Sequence, residues 1–438
     1  MKPHMHLTVQ MAAGYGVEPG SWRWPGENPA AFIDVGTFVK AGRIAERGLV
    51  DAFFMDDRPG ITNDLSGELP HSGLDPLVVL AAMAAATERV GLVASVSTSV
   101  NEPYTIARQL RSLDHLSQGR MGWNVVTTNA PAALQNYLAS APRPEHKHVR
   151  AREVWQAVLA LWGSWPDDAL LLDVAAGRFA AMHRLRPINF RGRHVASRGP
   201  LGLPPSPQGM PVVFAPGDGP YGFRFAAPGV EAVYNQPLDL AAARRYWRTL
   251  SEALRRQSRA PDEVTVFSSV VTSLASSERE ALDRRAALDA LGNPQARLRQ
   301  LAAMLGVEAG QLDPDRPIPV QRLPQPVPAS ADPRAQRAYA LALQGWSLHD
   351  ILAHGVLGHH PVAIGTPEQV ADFLEAWFRA DIGGGFTILP DAGLGALTDF
   401  VEQVVPILQA RGLFRQRYTG QTLRDHLGLP YRNGPVPG

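Results

Sequence analysis

The sequence predicts an α/β protein built as a (β/α)₈ barrel of the TIM type, with insertions. Short apolar runs alternate with amphipathic segments of ten to fifteen residues, the rhythm of parallel β/α units. The rhythm resumes after residue 210 and yields eight such units. No Gly-x-Gly-x-x-Gly fingerprint follows the first strand, which disfavours the alternative, an open doubly wound sheet.

The first strand begins near Leu7, with His4 and His6 at its start. Apolar positions from Thr37 to Arg47 recur at helical spacing, and Val50 to Met55 (VDAFFM) reads as a buried strand. Pro76 to Ala86 is a helix and Val90 to Val96 a strand. Tyr104 to Leu116 and Met121 to Val126 repeat the pair. Strands at Pro211 to Ala215 and Ala232 to Tyr234 precede a helix at Ala241 to Gln257 and a strand at Val264 to Val271. Thr366 is a natural N-cap for a helix at Pro367 to Arg379, before a last strand, Gly385 to Leu389, and a last helix, Ala396 to Arg411. The whole reads as one domain over residues 1–438. Insertions are expected near 165–208 and 291–333, with a C-terminal tail from about residue 412. The second insertion, rich in proline and glutamine, is expected to be a mobile lid or partly disordered loop.

Composition narrows the function. The 438 residues carry 42 Lys and Arg against 41 Asp and Glu, a net charge of +1. That balance gives no electrostatic reason to expect nucleic acid or an anionic membrane as partner. A hydrophobic share of 45% supports a large core. With no cysteine, disulfides, thiolate catalysis and cysteine-held metals are excluded. No stretch approaches the ~20 apolar residues of a membrane span, so a cytoplasmic protein is expected. Many prolines and few lysines suit a GC-rich bacterial source.

Several segments carry a resemblance. They include Ser21-Trp-Arg-Trp-Pro25, Asn101-Glu-Pro-Tyr104, Ser117-Gln-Gly-Arg-Met-Gly-Trp-Asn-Val-Val-Thr127, Leu161-Trp-Gly-Ser-Trp165, Ser206-Pro-Gln-Gly-Met-Pro211, Gly365-Thr-Pro-Glu-Gln-Val-Ala-Asp372 and Thr422-Leu-Arg-Asp-His-Leu-Gly428. In order and content the chain resembles the luciferase-like flavin-dependent monooxygenases, in the branch with nitrilotriacetate, dibenzothiophene-sulfone and pristinamycin monooxygenases.

The resemblance implies a barrel that binds reduced FMN supplied by a separate flavin reductase and oxygenates a small organic substrate with O₂, as a homodimer. It implies a site at the carboxyl ends of the strands. There Asp57 matches an acidic residue beside the flavin. Among Ser95, Ser97, Thr98 and Ser99, Ser95 is the preferred flavin contact. Asn124 offers both a donor and an acceptor to the flavin edge. Trp123 is expected to fill the interior or the outer packing layer. Of His349, His354, His359 and His360, either His359 or His360 suits proton transfer, and His359 is taken as the catalytic candidate. No metal site is expected, since no His-Glu-x-x-His pattern is present.

The chain also departs from the family pattern. Pro144 and His148 stand where a histidine and a tyrosine are usual. Ala215-Pro-Gly-Asp-Gly219 replaces a Gln-Ala-Gly-x-Ser phosphate loop, and Val17 and Glu18 occupy a site of histidines. His148, Lys147 or the backbone N–H groups from Gly217 through Gly219 to Gly222 would have to compensate. Two functions therefore stay open: a two-component monooxygenase, or a barrel of the same family that has left ordinary FMN binding.

Overall fold

The computed structural model describes residues 4–61, 64–71, 73–138, 144–217, 229–308, 310, 313–324 and 332–434. Its centre is a ring of eight parallel strands. In chain order the strands of the sheet, the eight of the ring and one more, are β1 (His6–Gln10), β2 (Ala52–Met55), β3 (Gly91–Ser97), β4 (Met121–Val126), then, after two hairpins, β9 (Val212–Pro216), β10 (Ala232–Asn235), β11 (Thr265–Leu274), β12 (Val362–Gly365) and β13 (Gly384–Pro390). Neighbours pair from β1 through β4 to β9, β10, β11 and β13, and β13 returns to β1 to close the barrel. β12 stands outside the ring. It pairs only with the far end of β11, Val271–Leu274, beyond the reach of β10.

Strand sequences follow from this geometry. A parallel strand in a barrel is covered on both faces, so it reads as an apolar run rather than an alternation. β2 (AFFM) and β3 (GLVASVS) are buried along their whole length. Helices between strands start where the sequence supplies caps: Asp34 accepts from the Gly36 N–H, Asp75 from Leu77, and Thr366 with Gln369 forms a capping box for Pro367–Arg379. Trp123 lies in the layer between strands and helices, set edge-on to Trp162 with ring centres 5.9 Å apart.

The two insertions differ from their sequence reading in opposite ways. The first holds two antiparallel hairpins, β5 (Leu170–Asp173) with β6 (Arg178–Ala180) and β7 (Phe190–Arg191) with β8 (Ala196–Ser197). The second, expected to be a lid or partly disordered, contains a helix over Pro294–Leu305, with Asn293 as N-cap and left-handed Gly306 ending it. Leu301 and Leu305 pack with Tyr339, Ile351 and Leu352 in a separate small core. Apolar spacing of three and four residues won over proline content here; residues 325–331 lie outside the described set.

The C-terminal tail is a floor. Its short helix, Leu423–Leu427, plugs the amino end of the barrel, with Leu423 and Leu427 against Phe214, Phe267 and Val93. Arg424 makes two bonds to Glu231, at 2.7 and 3.1 Å, and Arg415 contacts Asp51. With the amino end closed in this way, the carboxyl end is where the barrel can receive a ligand. No helix among the described residues is long and apolar enough to cross a membrane.

Candidate active site

A cavity of about 560 Å³ opens at the carboxyl ends of the eight ring strands. Each strand contributes. Gln10 ends β1, Asp56 and Asp57 follow β2, and Ser95 and Asn124 come from β3 and β4. Pro216, Tyr234 with Asn235, Phe267 with Ser269, and Thr387 complete the circle. Its floor is aromatic: Tyr234 stacks on Phe54 at 4.1 Å between ring centres and on Phe214 at 5.4 Å. Burial pushes the Tyr234 hydroxyl well above its ordinary value, so it stays protonated.

Polar groups stand over this floor. Asn124 and Ser95 are register partners across β3 and β4, and the Asn124 amide donates to Ser95 Oγ at 2.9 Å. The Asn124 carbonyl oxygen and the Asn235 amide nitrogen are buried with no partner among the described residues. A buried amide without a partner is costly, by about 1–3 kcal/mol, and two on the walls of one cavity mark it as a place built for a polar ligand. Of the four hydroxyls in the β3 run, only Ser95 lines the cavity. Ser97 bonds Thr128 Oγ1 at 2.7 Å, Thr98 donates to the Val126 carbonyl, and Ser99 accepts from the Thr128 N–H. They tie the β3 loop to the β4 loop.

Asp57 lines the cavity, and its carboxyl is pushed up to about 6 by burial, with the charges of Asp75 and Asp56 adding to the effect. Arg58 pairs with Asp56, at 3.6 Å. A carboxyl whose folded pKa lies above its unfolded one disfavours the fold once ionised. Asp57→Asn should therefore be more stable than the parent at about pH 8, with the gain gone below about pH 4. Thermal unfolding at the two pH values checks this; an equal difference at both would contradict the assignment.

The remaining expected residues divide. His148, half-buried near the start of the helix Pro144–Trp162, is not in the cavity wall; burial and the Lys147 charge lower its pKa. Its neighbour Lys147 instead contacts the Asn129 side-chain oxygen, and Asn129 does line the cavity. The Gly217 N–H already donates to the Tyr234 carbonyl at 2.6 Å, so it cannot join an anion nest. Gly217 is needed for another reason, since a β-carbon there would lie 2.2 Å from the Tyr246 hydroxyl. Ala215 packs in the outer core rather than facing the cavity. Gly219, like Asp218, lies outside the described residues.

Among the histidines, His359 is exposed and lines a side chamber. His360 is the one turned to the barrel: its Nδ1 sits 2.7 Å from Ser269 Oγ, and Ser269 lines the main cavity. Burial first, and the neighbouring His359 next, lower its pKa to about 4, so it is neutral at physiological pH. The sequence reading missed Gln10, Tyr234, Asn235, Ser269 and Thr387. Asn235 carried a usable signal, a polar residue ending an apolar strand at the carboxyl side.

A closed parallel barrel whose amino end is plugged, and whose carboxyl end holds an aromatic-floored cavity with buried amides, defines a TIM-barrel enzyme with its site at the carboxyl ends of the strands. The chain belongs to the luciferase-like monooxygenase family, whose model matches residues 22–383. It is 35% identical to nitrilotriacetate monooxygenase component A of Aminobacter aminovorans, over 97% of this chain and 98% of that one. It is 34% identical to a dibenzothiophene-sulfone monooxygenase of Rhodococcus erythropolis (strain XP), over 97% and 96%. Among solved structures, the EDTA monooxygenase of Chelativorans sp. BNC1 superposes with a TM-score of 0.82 at 33% identity, covering 98% of this chain and 99% of that one. The expected family and barrel are borne out, and with them the chain's place among the monooxygenases.

Proposed function

We propose that the chain is the oxygenase component of a two-component system that binds reduced FMN from a separate flavin reductase and oxygenates a small organic substrate. The cavity itself carries this reading: its 560 Å³ falls within the about 300–1,000 Å³ of small-molecule sites, and it pairs a flat aromatic floor with unpartnered amides. Phe54 and Tyr234 offer a face for a fused ring, and Asn124, Ser95 and Asn235 offer acceptors and donors to a heteroatom edge. Asp57 lies in the wall, and Arg58 in that wall and Lys147, through Asn129, are the cations at hand for a phosphate. Bound reduced FMN supplies the two electrons with which one atom of O₂ enters the substrate and the other leaves as water. The protein's part is to orient the ring, exclude water and hold protons in place. His360, neutral and bonded to Ser269, is a better placed proton carrier than His359. We read the chain as one barrel domain with insertions, acting in the cytoplasm as a homodimer.

A second reading, a barrel that has left ordinary FMN binding, is favoured by one observation: Gly217 has no free N–H for a phosphate. A reductase-coupled assay under ¹⁸O₂ separates the two. Incorporation of one labelled atom into a small organic substrate is expected; reduced FMN that is oxidised at the rate of a protein-free control, across carboxylate, thioether and sulfone substrates, would favour the second.

A further inference from the structure

Two smaller chambers, of about 270 and 310 Å³, lie where the helical insertion meets the barrel mouth, with His360 in the wall of both. A third chamber of about 220 Å³ shares His360 with them and shares Gln10, Asp56 and Arg58 with the main cavity. The third chamber thus shares a wall with the active-site cavity, and the two others meet that chamber at His360.

Charge is unevenly matched there. Arg285 bonds Glu18 at 2.7 Å, Arg297 bonds Asp289 at 2.9 Å, and Arg334 bonds Asp332 at 2.8 Å. Arg337, on the helix Pro333–Leu343, lines the 310 Å³ chamber and has no carboxylate at ion-pairing distance among the described residues. Asp239, in the same wall, accepts the Ala242 N–H at 2.6 Å as the N-cap of Leu240–Arg256. Burial and the charge of Arg285 act against the Arg337 cation, while Asp239 favours it from beyond ion-pairing distance; a guanidinium stays charged in proteins. A half-buried fork of donors without an anion is an unfavourable arrangement that a ligand oxyanion would relieve. The helix anchors it, because the next two residues, Ala338 and Tyr339, are buried in the insertion's core.

We propose that Arg337 is a receptor for a carboxylate, so that the enzyme's substrates are small carboxylic acids anchored by their anionic end in this side chamber. A guanidinium grips one carboxylate group, a headgroup of single negative charge, with two parallel bonds; a phosphate dianion would place two negative charges on the same fork beside Asp239. Calling the anion part of the substrate rests on the monooxygenase reading, whereas its binding does not.

Calorimetric titration of the full-length, flavin-free protein tests this with succinate, nitrilotriacetate and succinamide, the neutral counterpart of succinate. Both carboxylates should bind at about millimolar strength or tighter, and succinamide should not. Arg337→Gln should weaken the carboxylates at least about tenfold, and Arg337→Lys should regain part of the loss while melting with the parent. Carboxylates that bind parent and Arg337→Gln alike, or not at all, would overturn the proposal. So would inorganic phosphate or FMN displacing succinate in an Arg337-dependent way, which would assign the cation to the flavin phosphate. If succinate binding depends on Arg337 but reduced FMN does not bind, the receptor stands and the monooxygenase reading falls.

Discussion

Arg424→Met is expected to lower the free energy of unfolding by about 3–5 kcal/mol, the penalty of leaving a buried charge with its main partner removed. Glu231 and Arg424 side chains are 7% and 2% exposed, and two bonds of 2.7 and 3.1 Å join them. Burial alone would raise the Glu231 carboxyl, but Arg424 and then Arg432 hold it below its ordinary value. With a folded pKa depressed in this way, the pair's stabilisation is present above the unfolded value. It is lost as pH falls through the folded one. Without Arg424 the acid unfolding midpoint should therefore move to higher pH. Urea denaturation at neutral pH measures the first effect and an acid titration the second; a loss below about 1 kcal/mol would show that Arg432, at 3.3 Å, suffices. The pair matters for function because Glu231 immediately precedes β10, the strand that carries Tyr234 and Asn235 to the cavity.

The second large effect separates binding from stability. Asn124→Leu should weaken reduced FMN by about ten- to a hundredfold, the equivalent of about 1.5–3 kcal/mol for lost hydrogen bonds at a desolvated edge. Stability should change by no more than about 1 kcal/mol. The buried Asn124 oxygen has no partner to lose among the described residues, and an apolar side chain of similar volume removes an unsatisfied group. Leucine leaves Ser95 without its 2.9 Å partner, which offsets part of that gain. Equal flavin affinity in parent and variant would place the ligand elsewhere in the cavity.

Most of the barrel was legible from residues. All eight ring strands were located, because burial on both faces makes each an apolar run bounded by caps and turns. β12 was missed: four residues, Val362–Gly365, paired only with the end of β11, give too short a signal. The helix at Pro294–Leu305 was missed because proline at its first turn was read as a loop signal when it marks a start. In the site, the reading found Asp57, Ser95 and Asn124 at strand ends, where all three line the cavity. It favoured His359 over His360, a choice that depends on which of two adjacent side chains faces the barrel. Sequence spacing does not carry that information; the Ser269 contact does. Arg337 was invisible for a related reason, since an arginine on a helix reads as surface until its partners can be counted.

Anaerobic titration of the purified protein with reduced FMN, followed by absorbance and by quenching of flavin fluorescence, tests the central claim most directly. Saturable binding with a Kd in the about micromolar range is predicted, weakened by Asn124→Leu. No binding of reduced FMN at about a hundred micromolar, by a protein shown to be folded, would contradict it.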